Sequence, residues 1–231
     1  MVALTPRYNT IDSLRHYTSE NIAAFGRWYQ SAKWNEVYDF IQFLGDFSTQ
    51  TGQGPDRARA RQEGSQFQLA ANEVLSEEKS AYRFVSGELC EVTDEVEIRA
   101  IESVSSVDGR FAGAKTHIQR ALAHFASRDS PDYRNSVKES ISAVESVYSI
   151  VNGRRSGSMI EAIRVAEVKG FVLHPALKKG ILSLYGWTSD EAGVRHSLFD
   201  GTGSVTSAQA KFVVVICSAL VNFLIEESGG K

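Results

Sequence analysis

Residues 133–153 read "YRNSVKESISAVESVYSIVNG", and the spacing of their apolar side chains decides the fold class. The apolar positions follow one another at three- and four-residue intervals, at Val137, Ile141, Val144, Tyr148 and Val151. This spacing is typical of one face of an α-helix. Ser130 followed by Pro131 predicts where the helix begins, and Asn152-Gly153 predicts where it ends. A long amphipathic helix of this kind needs partner helices to cover its apolar face.

The neighbouring sequence supplies those partners. Apolar residues at helical spacing between 111 and 125 predict a second helix that packs antiparallel to the first. The run "FVVVICSALVNFLI" at 212–225 is shorter than the roughly 20 residues needed to cross a membrane, and polar residues interrupt it. It predicts a buried helix, with Phe212 in the core. Residues 108–231 are therefore expected to form an all-helical domain.

The first half of the chain mixes helical segments with one short pair of strands. Residues 12–30 and 33–48 have helical periodicity, and the glycine- and arginine-containing stretch 49–65 predicts a loop. In "AYRFVSGELCEVTD", alternating side chains on both sides of Ser86-Gly87 predict a β-hairpin near 81–92. Residues 1–107 are thus expected to form a helical module that carries a small hairpin. The predicted fold class is mainly α.

Composition excludes several classes of function. The chain has 231 residues, a net charge of −3 and a pI near 6.0, so contact with a nucleic acid requires a local basic patch. No basic-then-apolar signal pattern opens the sequence, which favours a cytoplasmic location. Cys90 and Cys217 are too isolated for a disulfide framework or a zinc site, and phosphate-loop, HExxH and GxSxG motifs are absent. No metal and no cofactor are expected.

The stretch "GVRHSLFDG" at 193–201 is the candidate catalytic segment. The His196 imidazole can exchange protons near neutral pH, and the Arg195 guanidinium can bind two oxygens of one phosphate. The Asp200 carboxylate can fix the histidine tautomer. These groups are sufficient for metal-independent RNA cleavage, in which the 2′-hydroxyl attacks the adjacent phosphate. The alternative is that Arg195 binds helix carbonyls or pairs with Asp200.

Polar residues at the start of the helix over 131–152 give a second candidate set. Arg134, Asn135 and Lys138 either line a groove that binds the substrate or form an exposed helix start. Among the other histidines, His117 is expected on a solvated face and His174 as a cap before Pro175.

Three quoted segments resemble a known family. They are 133–153, "LHPALKKGILSLYGWTSDEAGVRHSLFDG" at 173–201 and "AQAKFVVVICSALVNFLIEE" at 208–227. Together they resemble the C-terminal domain of bacterial abortive-infection proteins of the AbiJ type, which belongs to the HEPN superfamily. Residues 80–104 are similar to the end of the N-terminal domain often joined to it. The resemblance implies a HEPN-like helical bundle that forms a homodimer, a role in phage defence with a possible partner protein, and RNA as substrate. It implies no membrane.

The sequence departs from the pattern of active HEPN ribonucleases at one point. In those enzymes the histidine follows the arginine by four to six residues, whereas that window here holds Phe199, Asp200 and Gly201. Adjacent Arg195 and His196 reach one phosphate only from a loop or across a two-fold axis. Two hypotheses therefore stay open: a metal-independent ribonuclease that cuts tRNA or other RNA, and a non-catalytic dimer that binds a partner protein or a nucleotide.

Overall fold

The computed structural model describes residues 19–50, 56–152, 159–168, 170, 173–189 and 205–229. In chain order the elements are α1 (Ser19–Ser31), α2 (Trp34–Gln50), α3 (Asp56–Glu77), β1 (Arg83–Val85), β2 (Glu88–Cys90), α4 (Glu95–Ser105), a 3-10 turn (Gly109–Phe111), α5 (Ala112–Ala126), α6 (Tyr133–Asn152), α7 (Met159–Val168), α8 (Pro175–Ser189) and α9 (Ser207–Glu227). The predicted mainly α fold with a small hairpin is confirmed. The chain forms two compact units, residues 1–44 and residues 45–231.

Aromatic rings hold the first unit together. The ring centroid of Phe40 in α2 lies 5.3 Å from those of both Phe25 and Trp28 in α1. These tilted and edge-on contacts are the arrangements that aromatic pairs prefer. On the same two helices, Tyr29 is 57% exposed and Trp34 61% exposed.

In the second unit, the hairpin forms where the sequence predicts it. Strands β1 and β2 pair antiparallel, with Val85 opposite Glu88. Ser86 and Gly87 between them have φ values of 51° and 97°. Two positive φ values in a two-residue connection characterise a type I′ turn, whose twist matches that of the strands it joins.

Helix α3 begins earlier than the sequence suggests. The loop prediction for 49–65 is wrong at residues 49–50, which end α2, and from Asp56 onward, where residues 56–65 are helical; residues 51–55 lie outside the described residues. Arginine, alanine and glutamine are all good helix formers, and they outweigh the glycine in this stretch. Asn72 of α3 also serves the hairpin: its Oδ1 accepts from the Phe84 N–H at 2.7 Å, and its Nδ2 donates to the Phe84 carbonyl at 2.9 Å.

Helices α5 and α6 form the antiparallel pair at the centre of the second unit. Val137, Ile141, Val144 and Tyr148 are each at most 2% exposed, which confirms the predicted apolar face of α6. The predicted start at Ser130-Pro131 is wrong, since α6 begins at Tyr133.

Helix α9 is a core helix of the second unit, as the run 212–225 predicts. It is long and apolar enough to cross a membrane by length and composition, yet eight of its residues are buried inside the protein. Helices α6 and α4 supply most of its packing contacts. Phe212, expected in the core, is 51% exposed. Consecutive helical residues point about 100° apart, so burial of Val213 directs Phe212 away from α6.

One hydrophobic core extends across the predicted boundary at 107/108. Val85, Val92, Ile101 and Val104 pack in the same cluster as the buried residues of α5, α6 and α9. The Asn222 side-chain amide of α9 donates to the Ala100 carbonyl of α4 at 2.9 Å. The division into domains 1–107 and 108–231 stays a prediction. The shared core and the Asn222–Ala100 hydrogen bond join residues before this boundary to residues after it.

Candidate functional site

The predicted catalytic segment lies between two helices that the structure does describe. Arg195, His196 and Asp200 lie outside the described residues, whereas α8 ends at Ser189 and α9 begins at Ser207. A capping box fixes the start of α9: Thr206 Oγ1 accepts from the Gln209 N–H at 3.2 Å, and Gln209 Oε1 accepts from the Thr206 N–H at 3.0 Å. The position at which the segment joins α9 is therefore well determined.

The predicted groove residues Arg134, Asn135 and Lys138 lie in the first turns of α6. Asp132, just before the helix, accepts from the Asn135 backbone N–H at 3.0 Å and from its side-chain Nδ2 at 2.6 Å. These bonds make Asp132 the N-cap of α6. The helix therefore begins at the next residue, Tyr133, and Ser130 is not its cap. The backbone hydrogen bond from Asn135 lowers the Asp132 pKa most, and the nearby charges of His124 and Arg134 lower it further.

Asn135 is therefore engaged in capping, while Lys138 is exposed. Of the three predicted groove residues, Lys138 presents a positive charge to solvent, and Arg134 is half-buried beside Asp132.

Two basic residues act on the buried Cys90 thiol. Burial raises the pKa of this thiol to about 12 and Glu88 adds to the rise, while the positive charges of Arg128 and Lys211 oppose it. Arg128, in the connection between α5 and α6, donates to the Leu89 carbonyl at 2.8 Å. Lys211 lies in the second turn of α9.

An aromatic pair joins the end of α8 to the start of α9, and the sequence pattern did not predict it. Trp187 in the last turn of α8 and Phe212 in the second turn of α9 have ring centroids 6.5 Å apart, at an interplanar angle of 59°. They are 37% and 51% exposed. The apolar character of 212–225 hid this feature, because a helix that is apolar all round gives no indication of which side stays uncovered.

The described histidines have structural partners in two cases. His117 Nδ1 lies 2.7 Å from Glu139 Oε2, a hydrogen bond that joins α5 to α6, and these side chains are 31% and 16% exposed. The expectation of a solvated face at His117 is therefore wrong. His174 Nδ1 accepts from the Ala176 N–H at 3.2 Å, which confirms its predicted capping role at the start of α8.

Within the described ranges, no group of three or more His, Cys, Asp or Glu side chains is arranged to hold a metal ion. Cys90 and Cys217 do not form a disulfide, and both side chains are completely buried, which is common for cysteines that pack as small apolar groups.

Comparison with known proteins finds a family match over the first part of the chain. Residues 4–106 match the model of the family described as AbiJ N-terminal domain 4. No curated protein and no solved structure matches the chain. The family match supports an AbiJ-type abortive-infection protein, and it agrees with the resemblance of residues 80–104 to the end of such a domain.

Proposed function

We propose, on the premise that residues 4–106 are an AbiJ-type N-terminal domain, that this chain is a cytoplasmic abortive-infection effector whose following helices form a HEPN ribonuclease domain. The family match is the observation that carries the proposal, because N-terminal domains of the AbiJ type are often followed in the same chain by a HEPN domain. Helices α6 and α9 cover two of the segments that resemble a HEPN domain, and α8 covers the first part of the third, 173–201. The proposed substrate is RNA, with tRNA as the first candidate, and the proposed assembly is a homodimer.

The proposed reaction needs no metal ion or cofactor. His196 takes the proton of a ribose 2′-hydroxyl, and the 2′-oxygen attacks the adjacent phosphorus. Arg195 stabilises the negative charge that develops on the non-bridging oxygens. The bond from phosphorus to the 5′-oxygen breaks, and that oxygen takes up a proton as it leaves. The products are a 2′,3′-cyclic phosphate and a 5′-hydroxyl. Asp200 is proposed to orient His196.

Basic residues near the start of α6 provide local positive charge for RNA binding, although the net charge of the chain is −3. Lys138 is exposed near the start of α6, and Arg134 lies one helical turn before it. Phosphate contacts of this kind contribute affinity without sequence preference and weaken with salt. We expect Lys138→Ala to weaken RNA binding. The slope of the logarithm of the binding constant against the logarithm of the salt concentration should also become shallower by about one.

The decisive experiment compares the wild type with Arg195→Ala and His196→Ala. Each protein is incubated with tRNA and with total RNA in the presence of EDTA, and the RNA ends are analysed. We expect cleavage by the wild type to leave cyclic-phosphate ends, with a loss of rate of at least about 100-fold in either variant, which is the usual contribution of a general acid or base. His174→Ala is the matched control, because this histidine caps the other end of α8.

Two results would count against the ribonuclease. If the wild type leaves RNA intact while its fold and assembly are normal, the chain is the non-catalytic binding module that the absent spaced histidine favours. A monomer at micromolar concentration by light scattering would remove the composite two-fold site, since one chain provides a single Arg195 and His196.

A further inference from the structure

We propose that Trp187 and Phe212 form an aromatic platform that stacks against a base of single-stranded RNA. This platform deepens the proposed function and depends on it for the class of substrate. It consists of these two side chains alone, one at the end of α8 and one near the start of α9.

The ring geometry leaves surface available for a ligand. At 59° and 6.5 Å between centroids, the two rings meet at an angle and cover only part of each other. Trp187 is 37% exposed and Phe212 is 51% exposed, although Val213, the next residue of α9, is completely buried. Two rings present an area that suits a nucleobase, whereas a stable protein interface needs about 800 Å² on each partner.

The positive charge next to the platform is that of Lys211, and it favours a polyanion. Lys178 and Lys179 lie at the opposite end of α8 from Trp187, and Asp190 and Glu191 follow that helix in the sequence. Lys178 pairs with Glu167, at 2.7 Å, whereas Lys211 immediately precedes Phe212. The first turns of α9 add the positive end of its helix dipole. Aromatic rings combined with basic groups are the usual means of binding single-stranded nucleic acid.

The position of the platform in the chain connects it with the proposed chemistry. Trp187 precedes the segment that contains Arg195 and His196, and Phe212 follows it. The platform therefore joins the two helices between which that segment runs. A base stacked there would hold the strand at the helix ends that flank this segment in the sequence. Because such stacking is the same before and during reaction, its loss should raise KM and leave kcat nearly unchanged.

The test measures binding of a fluorescein-labelled single-stranded RNA of about 12 nucleotides by fluorescence anisotropy, using the full chain with His196→Ala so that the probe stays intact. Trp187→Leu and Phe212→Leu keep an apolar side chain but remove the aromatic face. Trp187→Phe and Phe212→Tyr keep the aromatic face. Val168→Leu, at an 85% exposed position on α7, controls for changes of exposed apolar residues in general.

We expect each leucine variant to raise Kd by roughly 5- to 100-fold, and both aromatic replacements and the Val168 control to stay within about 2-fold of the parent. Leucine variants that bind like the parent would overturn the platform, and so would a parent that fails to bind the RNA at about 100 µM. Ring-dependent binding without cleavage by the wild type would refute only the ribonuclease. Cleavage with ring-independent binding would refute only the platform.

Discussion

A fragment that contains only residues 108–231 should fail to fold, although the sequence pattern suggests a domain boundary there. The reason is the shared core. Val85, Val92, Ile101 and Val104 all precede the cut, are at most 2% exposed, and pack against helices that follow it. Their removal would expose the apolar faces of α5 and α9 that they cover.

The free energy that these four buried side chains contribute to folding is comparable to the stability of a whole domain. Burial of one valine or isoleucine side chain contributes about 1.5 to 3 kcal/mol, so these four side chains account for roughly 6 to 12 kcal/mol. Typical domains unfold with about 5 to 15 kcal/mol. The cut also removes the hydrogen bonds from Asn222 to Ala100 and from Arg128 to Leu89.

Urea denaturation followed by circular dichroism tests this expectation on the full chain, on fragment 45–231 and on fragment 108–231. The full chain and fragment 45–231, which keeps the shared core, should show a cooperative transition, and fragment 108–231 should show none. A cooperative transition of fragment 108–231 with a free energy of unfolding within about 2 kcal/mol of the full chain would refute the reasoning.

A pair of substitutions on α4 tests the same core without a truncation. Ile101→Ala, at a fully buried position, should lower the free energy of unfolding by about 2 to 5 kcal/mol. Val96→Ala, at a 66% exposed position on the same helix, should change it by no more than about 0.5 kcal/mol. Equal effects would mean that α4 does not pack as described.

Two further predictions concern carboxylates with shifted pKa values. The lowered pKa of Asp132 means that its stabilising contribution is present above the ordinary carboxyl pKa and is lost as the pH falls through the folded-state value. Asp132→Ala should therefore cost about 0.5 to 2 kcal/mol at pH 7 in urea titrations, and Asp132→Asn, which keeps a capping side chain, should cost less. The pKa of Glu88 is raised, chiefly by burial and then by Asp46, so its contribution is present at low pH and is lost as the pH rises through the folded-state value. Glu88→Gln should be more stable than the wild type at pH 7 and similar to it near about pH 4; a variant less stable at pH 7 would contradict the burial of this carboxylate.

Local signals in the sequence were sufficient for several elements. The Ser86-Gly87 turn and the cap at His174 were both predicted correctly. Each depends on residues at most three apart, so the chain itself carries the complete pattern. Where two local patterns competed, the prediction failed: Asp132 caps α6, two residues beyond the expected Ser130.

Features that depend on distant residues could not be predicted in this way. His117 binds Glu139, 22 residues further on, and nothing in the spacing around either residue indicates the pair. Phe212 was assigned to the core because the whole run is apolar, and only the packing of α9 decides which side stays exposed. The candidate catalytic pair, Arg195 and His196, lies outside the described residues, so its prediction is the one that experiment must test first.

The hydrogen bond between Asn222 and Ala100 joins residues 122 positions apart, and it has a consequence for how the second unit forms. Helix α4 meets its main partner, α9, only after a long loop of intervening chain has closed. Contacts between residues so far apart in sequence slow folding, because the entropy of closure must be lost before the contact stabilises anything. Docking of α9 is therefore expected to limit the folding rate, with α4 gaining its full protection from hydrogen exchange only at that late step.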